Sequence, residues 1–176
     1  MRLRRRLRSR LPQRKRRDPQ DLLTEIEIPS PFSIQAFCDN VAAHRGRPLR
    51  LEAVEGISGS NDELCGLWIE LENSDCIFYE ASTSPLHRDH IVLHEISHML
   101  LGHSSVNDVT PSVPSALFTG IAPQTVRSVL ARANFDTPQE REAEQLATRI
   151  AKLAELPAAP ARPAELHRID VALRSE

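Results

Sequence analysis

Residues 91–103 read IVLHEISHMLLGH, and the fold of the chain depends on this stretch. It contains the pattern H-E-x-x-H, which runs from His94 to His98. Positions i and i+4 lie on one face of a helix, so both imidazoles can reach a single metal ion. Glu95 follows the first histidine and stands where it can accept a proton from water at that ion. The stretch therefore predicts a metal site on a helix, with His94 and His98 as ligands and Glu95 as the catalytic base.

The residues around the motif predict a capped and buried helix. Ser84 is a favourable N-cap, Pro85 suits the first helical position, and Gly102 can end the helix. Apolar residues surround most of the circumference between these ends, which is typical of a helix inside a core. Buried histidine and glutamate side chains need partners, because an unpaired buried polar group is costly. A metal ion is such a partner, and a purely structural histidine pair is the alternative.

The length of 176 residues is enough for one domain with a real core. We expect a basic, disordered tail at 1–19, the functional domain at 20–157, and an Ala/Pro spacer with a short tail at 158–176. Residues 18–31 are polar and punctuated by proline, and we interpret them as a linker or a loosely docked segment. No apolar run reaches the length of a membrane span, so we expect no membrane contact.

Charge is distributed unevenly along the chain. Residues 1–17 hold ten Lys and Arg and no acid, which leaves 12 basic against 24 acidic residues elsewhere, a net charge of −12. No apolar segment follows this basic head, so it does not resemble a secretory signal. A nucleic-acid-binding arm is one interpretation, and we favour a solvated tail because no aromatic residues interleave with the charges. The three cysteines include no C-x-x-C pair, which favours a reducing cytosol and a cytoplasmic protein.

The pattern of apolar residues predicts an α+β fold. We expect a helix from Ile34 to Arg45, strands at 49–54, 64–71 and 76–80, the motif helix, a helix through Val126, Val129, Leu130 and Ala133, a helix from Thr137 to Leu153, and a short terminal helix near 166–173. The strands predict a small antiparallel-type sheet of about three strands packed on the buried H-E-x-x-H helix. Further helices are expected to supply the third metal ligand. The long irregular stretch from His103 to Pro123 is typical of a loop beside a functional cleft.

A catalytic zinc site needs three protein ligands and one open position. His103 is the first candidate for the third ligand, although its spacing from His98 does not match the metzincin pattern. The acidic helix start at 139–144 is the second candidate. Within it, Glu142 shares a helical face with leucine and isoleucine residues that should point into the core. We therefore favour Glu142 as the third ligand, with His103 and Glu140 as alternatives.

The run HEISHMLLGH, followed about forty residues later by EREAEQLA, resembles the two motifs of the ImmA/IrrE family of bacterial zinc metallopeptidases. His94 and His98 match the zinc histidines of that family, Glu95 matches its catalytic glutamate, and Glu142 matches its third ligand position. The resemblance covers about residues 33–155. The chain departs from the family at Ser97, where glycine is common, at Leu146, where phenylalanine is usual, and at residues 150–153, where a Leu-Leu-Met-Pro run often follows. No departure removes a ligand or the base.

The resemblance implies a cytoplasmic endopeptidase that uses one zinc ion. It also implies a protein substrate, namely a DNA-binding repressor of bacterial or phage type with a helix-turn-helix fold. A non-catalytic alternative is a protein that keeps the zinc fold and acts by docking to a repressor, as a toxin–antitoxin or anti-repressor component. If the chain cleaves peptides, the strand at 76–80, directly before the motif helix, is a candidate to bind an extended substrate by strand addition.

Overall fold

The computed structural model describes residues 19–57, 66–103, 126–130 and 137–157, with the backbone alone at 19–20 and 126–130. The predicted basic tail up to residue 18, the predicted loop at 104–123, and the predicted spacer and terminal helix at 158–176 lie outside these ranges. Within the described ranges, no helix has both the length and the apolar character needed to cross a membrane.

Helices and strands are interspersed in the described part of the chain, which confirms the predicted α+β class. In chain order the elements are α1 (Pro19–Glu25), α2 (Ile34–Arg45), β1 (Leu49–Val54), β2 (Gly66–Leu71), β3 (Asp75–Glu80), α3 (Pro85–Leu101), β4 (Val126–Leu130) and α4 (Pro138–Leu153). The three strands predicted before the motif helix correspond to β1, β2 and β3. The helices predicted around the motif and after Thr137 correspond to α3 and α4.

The caps of α3 are those that the sequence predicts. The Ser84 side chain accepts a hydrogen bond from the His87 backbone N–H at 3.2 Å. Gly102 ends the helix with φ at 70°, a left-handed conformation that glycine adopts without a steric penalty. Every residue from Ile91 to Met99 is buried, so the H-E-x-x-H motif lies inside the protein.

The sheet is mixed, and its strand order is β1-β3-β2-β4. β2 is antiparallel to both β3 and β4, whereas β1 is parallel to β3. The prediction of an antiparallel-type sheet is therefore wrong for one pair, because β1 and β3 are parallel, and β4 joins the three predicted strands as a fourth. A short turn at 72–74 makes β2 and β3 an antiparallel hairpin. β1 joins the other side of β3 through a longer connection, as a parallel pair requires.

The position of β3 overturns the prediction that the strand at 76–80 binds substrate by strand addition. β3 is hydrogen-bonded to β1 on one side and to β2 on the other. Strand addition needs an unpaired edge, and β3 offers none. Among the described strands, β1 and β4 form the two edges of the sheet.

Residues 126–130 form a strand rather than the predicted helix. Val126, Val129 and Leu130 have helical spacing, but a short apolar run fits either structure. β4 pairs with β2, and Ile69 lies opposite Val129. The backbone edge of β2 and the β-branched valines favour the strand over the helix.

One hydrophobic core joins the sheet and the helices. Its buried residues are Ile26, Ile34, Phe37, Cys38, Val41, Trp68, Ile77, Val92, Leu93, Ile96, Met99, Leu146, Ala147, Ile150 and Ala151. Leu22 in α1 is 1% exposed, and Ile26 is 3% exposed. Of the two interpretations of this segment, a linker is therefore wrong for residues 19–31, and a docked segment is confirmed, because Leu22 and Ile26 bury their side chains in the domain.

A buried carboxylate, Asp75, ties the start of β3 to its neighbours. Its Oδ2 accepts from Nε of Arg45 at 3.0 Å, and its Oδ1 accepts from the indole N–H of Trp68 at 3.2 Å. Arg45 in turn donates to the backbone oxygen of Met99 in α3 at 3.2 Å. Nε of Arg47 lies 3.4 Å from Oδ2 of Asp75. The network thus links α2, β2, β3 and α3 around one fully buried charge.

Candidate metal centre

Two histidines of α3 present the same ring nitrogen to one point. His94 and His98 stand one helical turn apart, and their side chains are 2% and 1% exposed. Their Nε2 atoms lie 2.9 Å from each other. Two imidazole nitrogens this close share either a proton or a cation, because two lone pairs repel each other.

The carboxylate of Glu140 in α4 reaches both nitrogens. Its Oε2 lies 3.2 Å from Nε2 of His94, and its Oε1 lies 3.2 Å from Nε2 of His98. Thr137 fixes the start of this helix, because its hydroxyl accepts from the Glu140 backbone N–H at 3.2 Å. The N-cap thereby sets Glu140 in the first turn of α4, facing α3.

The spacing of these three groups fits a metal ion. With bonds of about 2.1 Å and tetrahedral angles, two ligand atoms of a zinc ion lie about 3.4 Å apart. The two Nε2 atoms are 2.9 Å apart, and each lies 3.2 Å from a different oxygen of Glu140, so all three distances are close to that value. His94, His98 and Glu140 together can therefore hold a metal ion.

The charge of Glu140 suits this role. Burial by itself raises the pKa of the Glu140 carboxyl, but hydrogen bonds to His94 and His98 outweigh that effect. The net result is a pKa far below the ordinary value for glutamate. The group is therefore a carboxylate, which is the form that binds a metal.

Glu142, which the sequence predicts as the third ligand, lies against a different side chain. Its Oε2 is 3.2 Å from Nε2 of His103, and its own side chain is 37% exposed. Among the described residues, the group that can hold a metal ion contains Glu140 and not Glu142. Ligation by Glu142 stays a prediction.

The buried face of α4 explains why the sequence favours Glu142 and leaves Glu140 as an alternative. Its buried residues are Ala143, Leu146, Ala147, Ile150 and Ala151. Glu140 precedes Ala143 by three residues and Ala147 by seven, so it lies on this face. The prediction followed the large apolar residues and included Leu153, which is 57% exposed. Alanine spacing is the signal that identifies the face correctly.

Glu95 lies on another side of α3. Consecutive residues of a helix point about 100° apart, so Glu95 leaves the helix in a different direction from His94. It is 1% exposed, and its Oε1 has no hydrogen-bond partner among the described residues. A β-carbon built on Gly66 would lie 3.1 Å from this oxygen, which puts Glu95 against the start of β2.

Comparisons with protein-family models, with curated proteins and with solved structures found no match to this chain. The functional assignment therefore depends on the residues described above and on their chemistry.

Proposed function

We propose that the protein is a zinc-dependent endopeptidase in which His94, His98 and Glu140 bind the ion and Glu95 is the general base. The observation that carries this proposal is the convergence of two buried imidazoles and one carboxylate from separate helices. A structural histidine pair would need only one hydrogen-bond partner, whereas here each Nε2 faces both the other ring and Glu140.

The donor set suits zinc or another transition metal rather than calcium or magnesium, and the H-E-x-x-H motif favours zinc. Zinc accepts histidine nitrogen and carboxylate oxygen at similar distances, and its catalytic sites use three protein ligands. Calcium and magnesium prefer oxygen ligands alone. When bound, zinc supplies a Lewis acid that polarises a carbonyl and lowers the pKa of water.

Oε1 of Glu95 is buried without a hydrogen-bond partner among the described residues, so we expect its partner to be water or a bound substrate. A buried carboxyl oxygen without a hydrogen bond is costly, and functional sites tolerate such costs. Water or a substrate amide would satisfy Oε1. Glu95 would accept a proton from a water molecule as the water oxygen attacks the peptide carbonyl carbon. It would return that proton to the amine nitrogen as the C–N bond breaks.

The resemblance of the two motifs to ImmA/IrrE peptidases supports peptide hydrolysis over other hydrolytic reactions, although the third ligand position of that family matches Glu142 and not Glu140. We extend the proposal to a helix-turn-helix repressor as the substrate. An extended segment of such a protein would bind best along an exposed strand edge. β4 is the better candidate edge, because it pairs with β2, whose first residue lies against Glu95.

The test compares wild-type protein with Glu95→Gln, which keeps the size of the side chain but cannot act as a base. Zinc-loaded proteins are incubated with the products of neighbouring genes and with reduced casein, with and without a chelator. We expect wild-type cleavage that the chelator stops, and at least about a 100-fold loss of rate in the variant with zinc retained. Glu72→Gln, which alters an exposed glutamate, is the control and should cleave normally.

Two results would contradict the peptidase proposal. One is cleavage at the wild-type rate by Glu95→Gln. The other is full biological effect of that variant with zinc still bound, which would favour the docking protein of toxin–antitoxin or anti-repressor type.

A further inference from the structure

A chain of polar contacts continues from His98 away from the metal centre. Nδ1 of His98 lies 3.0 Å from Nδ1 of His103, and Nε2 of His103 lies 3.2 Å from Oε2 of Glu142. His98 and His103 are 1% and 4% exposed. Both ring nitrogens of His98 are thus engaged, Nε2 toward Glu140 and Nδ1 toward His103.

The end of α3 holds His103 in place. The His103 backbone N–H donates to the His98 backbone oxygen at 3.0 Å, directly after the left-handed Gly102. This capping bond brings the two imidazoles together, with ring centroids 5.1 Å apart. The helix cap and the side-chain contact therefore involve the same pair of residues.

The carboxylate of Glu142, the last group in this series of contacts, determines which atoms donate and which accept hydrogen bonds along it. A carboxylate only accepts hydrogen bonds, so Nε2 of His103 donates to Glu142. When the His103 ring is neutral, its Nδ1 then carries a lone pair and accepts from Nδ1 of His98. His98 consequently keeps its own lone pair on Nε2, which is the nitrogen that faces His94 and Glu140.

We propose that His103 and Glu142 are positioning residues that hold His98 in the tautomer and ring orientation required for metal binding. This inference rests on the proposed metal site. Metal-binding histidines generally donate their second ring N–H to an outer partner that orients them. Under this assignment Glu142 acts through two histidines and is not itself a ligand.

Among the described residues, His94 has no comparable series of side-chain hydrogen bonds. Its Nδ1 lies 3.3 Å from Oε2 of Glu144, but the geometry is not that of a hydrogen bond. The Glu144 side chain is also 48% exposed, so water screens the contact. Orientation by an outer partner is therefore expected mainly at His98.

The test measures the affinity of the protein for Zn²⁺ by competition with a chromophoric chelator. His103→Ala and Glu142→Ala should each weaken binding by about 10- to 100-fold. The double variant should lose little more than His103→Ala alone, because both residues act through the same contact. Glu142→Gln, whose amide oxygen can still accept from His103, should fall between wild type and Glu142→Ala. Gln145→Ala, at an exposed position of α4, is the control and should bind like wild type.

Cobalt(II) spectra separate a positioning residue from a ligand. At saturating Co²⁺, Glu142→Ala should keep the visible bands of the wild-type protein, whereas Glu140→Ala should change them. Circular dichroism of each metal-free variant checks that it is folded.

Four outcomes would overturn the inference. Wild-type affinity for Zn²⁺ in both single variants would show that His103 and Glu142 do not orient His98. Additive losses in the double variant would show that the two residues act separately. Altered visible bands in the Co²⁺-loaded Glu142→Ala variant would make Glu142 a ligand. Failure of the wild-type protein to bind Zn²⁺ would refute the proposed metal site, and with it this inference.

Discussion

At the scale of single residues, Gly66 is a position of close approach between the sheet and α3. A β-carbon built on Gly66 would lie 2.5 Å from Cγ2 of Ile91 and 3.1 Å from Oε1 of Glu95. Real side chains do not tolerate the first distance, so a larger residue would move α3 or β2. The absence of a side chain at Gly66 therefore makes room for the proposed base.

We expect Gly66→Ala to destabilise the protein by about 1–3 kcal/mol, the usual cost of overpacking. Because the new methyl group also contacts Glu95, peptide cleavage should fall more than zinc content. Urea unfolding, metal analysis and the cleavage assay measure these effects. Ile91→Ala removes Cγ2, so the Gly66→Ala/Ile91→Ala pair should be less destabilised than the sum of the single changes. Strict additivity would contradict the close contact.

The sequence alone identifies the residue types of the site but not every position. His94, Glu95 and His98 are recognisable because helical spacing depends only on local geometry. The carboxylate from α4 is harder to assign, because it depends on how that helix is rotated against α3. Small alanines set that rotation, and they carry a weaker hydrophobic signal than leucine or isoleucine.

At the scale of elements, Asp75 joins strands and helices that are distant in the sequence. Its carboxylate is fully buried and contacts Arg45, whose side chain is only 10% exposed. The same arginine lies over the Trp68 ring, with 5.8 Å between its guanidinium carbon and the ring centroid. Removal of the carboxylate would leave the Arg45 charge buried without its counter-ion.

We predict that Asp75→Ala lowers the free energy of unfolding by about 3–5 kcal/mol, as is usual when one partner of a buried ion pair is lost. Urea unfolding followed by circular dichroism measures the change, and Trp68, the only tryptophan in the chain, gives a second signal. Glu72→Ala, in the exposed turn before β3, is the matched control. A loss below about 1 kcal/mol, the range of exposed ion pairs, would refute this role for Asp75.

Capped helices were more predictable than the pairing of strands. The ends of α3 and α4 follow from Ser84, Gly102 and Thr137, because capping is a local interaction. The order of the sheet depends on contacts between distant segments, so the parallel β1–β3 pair was missed. The helix predicted through Val126 and Val129 is wrong for the same reason, because the local sequence does not reveal that this segment pairs with the distant β2.

At the scale of the whole molecule, the core protects two thiols. Cys38 and Cys76 are both buried and free of disulfides. Burial raises the pKa of each thiol from about 9 to about 12, and nearby acidic groups such as Asp39 and Glu52 add to the effect. Both residues are therefore neutral in the folded protein well into the alkaline range.

This shift predicts a stability that falls with alkaline pH. In the unfolded chain the thiols ionise near pH 9, while the folded protein keeps them protonated until about pH 12. Their contribution is complete below pH 9 and is lost as the pH rises toward 12. In a Cys65→Ser background, unfolding free energy should drop more between about pH 8 and about pH 10 than it does in a variant that also carries Cys38→Ser and Cys76→Ser. Equal drops in the two proteins would contradict the shift.

Zinc analysis of purified protein is the most direct test of the central claim that α3 and α4 together hold one metal ion. Plasma mass spectrometry should give about one zinc per wild-type chain and a sharp loss of zinc in Glu140→Ala, because two histidines alone make a weak site. Gln145→Ala should keep its zinc. Stoichiometric zinc in Glu140→Ala, or no zinc in the wild-type protein, would contradict the proposed centre.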